Sequence, residues 1–82
     1  MQSTSFLEDV SMALSEAKVG RQMEIKQVTG TEKIRKFLFS LGCHEGERIT
    51  LISILAGNYI ISVKDSRYAI DRKMAQAIQL IG

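Results

Sequence analysis

Eighty-two residues leave room for one domain with a modest core, and none for a second lobe or a deep substrate cleft. An apolar content of 45% with 24% charged residues is that of an ordinary globular domain, not of a disordered chain. Eleven basic residues against nine acidic ones give a net charge of +2, too even for the strongly basic face that nucleic-acid binding uses, so no nucleic-acid partner is expected.

A single cysteine, Cys43, cannot form an internal disulfide and suits a reducing compartment. The first residues lack a charged start followed by an apolar stretch; Glu8 and Asp9 fall where a signal peptide would be apolar. No apolar run approaches the ~20 residues of a membrane span. The expectation is a cytoplasmic protein with no direct membrane insertion, reaching a membrane only through a partner at its inner face.

Residues 1–12 are expected to be weakly ordered, with a short amphipathic turn at Phe6, Leu7 and Val10. The expected organisation is an N-terminal extension over 1–13 and one domain over 14–82. In LSEAKVG, Ser15 suits the cap of one helical turn and Gly20 its stop. RQMEIKQV, 21–28, alternates, with Met23, Ile25 and Gln27 pointing one way, which predicts a strand.

In TEKIRKFLFSLG, 31–42, the period changes. Ile34, Phe37, Leu38 and Leu41 share one face of a helix. Thr31 is a suitable N-cap, Glu32 suits the positive end of the helix dipole, and Gly42 can end the helix in a left-handed conformation. A helix this short is unstable alone and must dock on a sheet.

ERITLISIL and YIISVK, 47–55 and 59–64, read as two strands joined by a tight hairpin at Gly57-Asn58. A reversal at Asp65-Ser66 leads to a short strand through Tyr68 and Ile70. RKMAQ reads as one helical turn, and AIQLI closes the chain as a strand with Ile78 and Leu80 on one face. The order predicts a mainly β domain, α+β by content: a small barrel with one helix inserted after the first strand. In a chain of this size an SH3-like barrel is expected.

Four features are candidates for chemistry. Cys43, His44 and Glu45 are adjacent, and a metal wants three or four converging ligands, which neighbours on a turn do not supply. The expectation is a core Cys43 and an exposed His44, with His44 a weak metal candidate at a site shared between two chains. A Cys43-His44 dyad lacks a group to orient the imidazole, so no enzyme and no cofactor are expected. Gly42 and Gly46 follow a helix and precede a strand, the reverse of a phosphate loop.

Phe39 lies off the apolar stripe, so it is exposed as an interface anchor or covered by Phe6 or Leu7. Lys33, Arg35 and Lys36 form a basic patch to which Arg72 and Lys73 could add. Tyr59 and Tyr68 alone do not make an RNA-stacking platform.

The ordered set of marks resembles the ferrous iron transport protein A family. In RKFLFSLGCHEGERITLI these marks are Arg35, Leu38, Leu41, Gly42 and Gly46, followed by the alternating Ile49 and Leu51. Leu14 and Gly20 match the family's leading turn. Ala69, Ile70, Ala75, Ile78 and Leu80 match its ending. The resemblance covers roughly residues 14–81. Departures are Glu45 where the family often has proline, a short hairpin at Gly57-Asn58, Asp71 where a basic or small polar residue is common, and the extra N-terminal residues.

The resemblance implies an SH3-like barrel with Leu38, Leu41, Gly42 and Gly46 as its structural motif. It also implies a non-enzymatic cytosolic accessory of ferrous-iron uptake whose partner is the cytosolic GTP-binding domain of a membrane permease. Lys33, Arg35, Lys36 and Phe39 are the expected partner-binding residues. Two other readings stay open. One is a metal- or peptide-responsive module like the SH3-like domain of iron-dependent repressors. The other is a homodimer bridged by metal through His44.

Overall fold

Alternating burial and tight turns shape the described residues, 11–81, of the computed structural model. Strand β1 is Ser11–Ala13, followed by a single 3-10 turn at Leu14–Glu16. Strand β2 is Gln22–Val28 and helix α1 is Glu32–Leu41. Strands β3, Arg48–Leu55, β4, Asn58–Val63, and β5, Ser66–Ile70, follow. Helix α2, Arg72–Ala77, runs directly into β6, Ile78–Ile81.

All strands pair antiparallel in one sheet of order β1-β6-β2-β3-β4-β5. No ladder joins β1 to β5, so the SH3-like sheet wraps a core without closing strictly. The helix follows the strand at Gln22–Val28 as expected. A further short strand, Ser11–Ala13, lies upstream, ahead of the expected domain start, and pairs with β6. The expected turn at Phe6, Leu7 and Val10 lies outside the described residues.

Period-two patterning places the core. Met23 and Ile25 of β2, Ile49 and Leu51 of β3, Ile61 and Val63 of β4, and Ile78 and Leu80 of β6 are all buried in one cluster. Directly opposed residues share a face, and the Ile49–Val63 and Leu51–Ile61 pairs put four of these side chains opposite one another. Burying an apolar side chain of this size contributes about 1.5–3 kcal/mol, which drives the sheet to curl around the cluster.

Two bulges bend it. One shifts the β2–β6 register between Ile25 and Gln27, which turns Gln27 outward instead of placing it with Met23 and Ile25. The other shifts β3–β4 between Leu51 and Ser53. Beyond it the alternation of β3 fades, and Ile54 and Leu55 are exposed near the hairpin tip.

Both tight turns sit one residue earlier than expected. Leu55 pairs with Asn58, so the hairpin loop is Ala56-Gly57, with φ of 50° and 82°. Val63 pairs with Ser66, so the next reversal is Lys64-Asp65, with φ of 50° and 65°. Positive φ at both central residues matches the right-handed twist of the flanking strands. Ser15 lies inside its 3-10 turn and caps nothing; Ala13 holds the N-cap position with no side-chain bond.

Candidate functional site

Helix α1 starts and stops as its residues dictate. The Thr31 hydroxyl accepts a hydrogen bond from the Ile34 N–H at 3.2 Å. At the other end Gly42 adopts φ 102°, ψ 10°. Its N–H donates to the Phe39 carbonyl at 3.0 Å, and the Cys43 N–H donates to the Leu38 carbonyl at 3.0 Å, the paired bonds of a Schellman motif. A Cβ on Gly42 would stand 2.9 Å from Cδ of Lys64, whose ammonium pairs with Glu47 at 3.2 Å. The lysine stem therefore lies across the helix end.

The chain then turns a second time. Glu47 N–H donates to the His44 carbonyl at 3.0 Å, with Glu45 and Gly46 between them and Gly46 at φ 85°. That is the pattern of a type II turn, whose second position accepts proline readily and here holds Glu45. Two bonds stitch the turn to β2: Gly46 N–H to the Ile25 carbonyl at 2.8 Å, and Ile25 N–H to the Glu47 carbonyl at 2.9 Å. The glycines are thus structural.

Cys43 and His44 part company at this turn. Cys43 is 0% exposed within the core cluster. Burial, with a smaller push from the Glu47 carboxylate, raises its thiol from 9.0 to about 11. A thiol so held stays protonated at neutral pH and is a poor nucleophile and a poor metal ligand. His44 is exposed. Its Nε2 lies 3.2 Å from the Phe39 carbonyl oxygen, and its ring meets the Phe39 ring edge-on, centroids 5.5 Å apart at 71°. Among the described residues no group of three His, Cys, Asp or Glu side chains is placed to hold a metal ion.

The helix docks by less of its stripe than expected. Leu38 is fully buried, while Ile34 and Leu41 are partly covered and packed against the core. Phe37, expected on the docked face, is 42% exposed. Across the gap from it stand Lys73 and Met74 in the first turn of α2, which leave the ring open to solvent. Phe39 is 47% exposed, off the docked face.

The expected basic patch divides along the helix. Arg35 stands one turn before Phe39, on the same flank as His44. Lys36 is paired with Glu32 at 3.5 Å on the crest, where both side chains are largely in solvent and the pair contributes little. Lys33 stands one turn before Phe37, on the opposite flank, facing Lys73 and Met74 of α2. The Phe39 flank opens on a shallow depression lined by Gln27, Val28, Phe39, His44 and Glu45.

Sequence reading missed the Phe37 flank. Phe37 fits the apolar period, and nothing local shows that the first turn of α2 leaves its ring uncovered. Asp71 has a local reason: its Oδ1 accepts the Met74 N–H at 2.8 Å as the N-cap of α2.

Comparison with known proteins bears on this site and fold. The family model described as FeoA domain matches residues 12–81. No curated protein matches. Among solved structures the chain is similar to an iron uptake regulatory protein (FeoA), at 28% identity and TM-score 0.79, covering 87% of this chain and 95% of that one. It is also similar to the FeoA of Stenotrophomonas maltophilia, at 20% identity and TM-score 0.75, covering 84% and 88% respectively. That protein was crystallised with zinc and is described as a prokaryotic SH3-domain protein proposed as a ferrous iron transport activating factor. A manganese-dependent transcriptional repressor shares the fold at 15% identity and TM-score 0.81, over 88% of this chain and 41% of its own. With the helix, both glycine turns and the final strands all inside the matched span, the chain belongs to the FeoA family, small SH3-like proteins linked to ferrous iron transport.

Proposed function

We propose that this chain is a non-enzymatic accessory of ferrous-iron uptake that docks on the cytosolic GTP-binding domain of a membrane ferrous-iron permease. The observation that carries the reading is the half-exposed Phe39, held edge-on by His44 and flanked by Arg35, in a chain of the FeoA family. An aromatic ring fixed in one orientation loses little entropy on binding and suits the centre of an interface. Arg35, one turn before it, and Lys36 on the adjoining crest favour an acidic partner face, while Lys33 lies on the opposite flank. The protein works in the cytoplasm, at the inner face of the membrane through its partner. Among the described residues no helix is long and apolar enough to cross a membrane.

Docking would change transport only through differential affinity: the accessory prefers one state of its partner and shifts the population toward it. No catalytic step is assigned. The shared fold with a repressor domain does not favour a DNA-binding role, because α1 and α2 are separated by three strands and do not form a helix-turn-helix. The test is calorimetric titration of the chain against the isolated GTP-binding domain, with and without nucleotide. Saturable heat that Phe39→Ala weakens supports the reading; no heat in either nucleotide state removes it.

A further inference from the structure

The flank of α1 away from Phe39 carries a second concavity. Thr31, Lys33, Ile34 and Phe37 face Lys73 and Met74 across a groove of about 360 Å³. Its floor is apolar. Ile34 and Met74 pack on the core from below, and Phe37 offers the open part of its ring. A lysine stands on each wall. Neither Lys33 nor Lys73 has an ion-pair partner among the described residues, whereas Lys36 and Lys64 each have one. Of the acids nearest to them along the chain, Glu32 pairs with Lys36, and Asp71 accepts the Met74 N–H with its Oδ1.

An apolar floor between two unmatched cations defines its complement. We infer that this groove binds an acidic amphipathic segment of a partner protein, with an apolar side chain seated on Phe37 between Ile34 and Met74 and carboxylates reaching Lys33 and Lys73. Two other occupants fit less well. A second copy meeting groove to groove would bring like charges together in a self-complementary contact. As for the chain's own N-terminus, Ser11 pairs with Ile81, whereas α2 joins β6 at the opposite end, Ile78. The inference goes beyond the docking of Phe39 and stands or falls without it.

The test is an amide NMR titration of the isotope-labelled full chain with the acidic peptide acetyl-EELLEELLEE-amide, with acetyl-KKLLKKLLKK-amide as the charge-reversed control. The acidic peptide should give saturable shifts at Lys33, Ile34, Phe37, Lys73 and Met74. The Lys33→Glu/Lys73→Glu variant should bind it about tenfold more weakly, and Phe37→Ser should weaken it with the charges intact. All three side chains are at the surface, so the variants fold. Several results would overturn the inference. One is no saturable shift at these amides. Another is equal affinity in the charge-reversed variant, or equal binding of the lysine peptide. If the same amides shift on dilution of the free chain, the occupant is a second copy; if they shift on deletion of residues 1–10, it is the chain's own N-terminus. Either result excludes the assignment to a partner.

Discussion

The Phe39 ring meets His44 edge-on, with centroids 5.5 Å apart, while Nε2 of the same histidine lies 3.2 Å from the Phe39 carbonyl oxygen. The contact spans the end of α1 and the turn that follows it, so it fixes a surface aromatic without burying it. Truncation at Phe39 is therefore expected to cost binding and not folding. Phe39→Ala should weaken binding to the permease domain by about 2 kcal/mol, the range of interface anchors, and change unfolding stability by less than about 1 kcal/mol. His44→Ala should weaken binding by a smaller amount. Calorimetry and urea unfolding on the same samples separate the two quantities.

At Gly42 two costs coincide. The left-handed φ of 102° disfavours any side chain, and a Cβ would press on the Lys64 stem. Gly42→Ala should destabilise the protein by about 1–3 kcal/mol, measured as a lowered urea midpoint at unchanged slope. Adding Lys64→Ala should relieve the crowding and leave the backbone cost, so the double variant recovers part of the loss.

Ala56 carries the opposite prediction. It sits at φ 50° in an exposed hairpin loop, where glycine has no steric penalty. Ala56→Gly should raise stability by about 0.5–1 kcal/mol, the left-handed penalty less the entropy that glycine loses on folding.

Cys43 gives a pH dependence. Its thiol titrates at 9.0 when unfolded and about 11 when folded. The unfolded chain therefore releases a proton first as pH rises. Stability from this residue is fully present below pH 9 and lost progressively as pH rises toward 11. The loss is of order 2–3 kcal/mol. The Cys43→Ala variant should lack that slope. In the native protein a thiol reagent at pH 8 should react only at the rate of unfolding.

Metal behaviour follows from the same turn. His44 and Glu45 are the exposed donors there, and with Cys43 buried one chain offers zinc or ferrous iron too few converging ligands. A single chain should release zinc on dialysis. A zinc-dependent dimer seen by sedimentation and abolished by His44→Ala would instead make His44 a ligand shared between copies.

Much of the site was legible because it is local. Helix period, cap and terminating glycine set α1, and the same period left Phe39 off the docked face. Burial of Cys43 followed from its place behind that helix. What escaped depends on distant partners. The exposure of Phe37 and the groove beside it depend on how α2 is placed against α1, which no residue of α1 encodes. The hairpin loop fell one residue early because the Ile49–Val63 and Leu51–Ile61 pairs fix the core register. The bulge before Ser53 then absorbs the odd residue that a two-residue loop leaves over. The outward turn of Gln27 has the same kind of cause, a bulge set by pairing with β6.

The proposed function rests on docking of the Phe39 flank of α1 on the permease's GTP-binding domain. The most direct measurement is an amide NMR titration of the labelled chain with that domain, with and without nucleotide. Saturable shifts concentrated at Arg35, Phe39 and His44 are expected, with the two nucleotide states differing in affinity. Shifts confined to other surfaces, or none in either state, would contradict it.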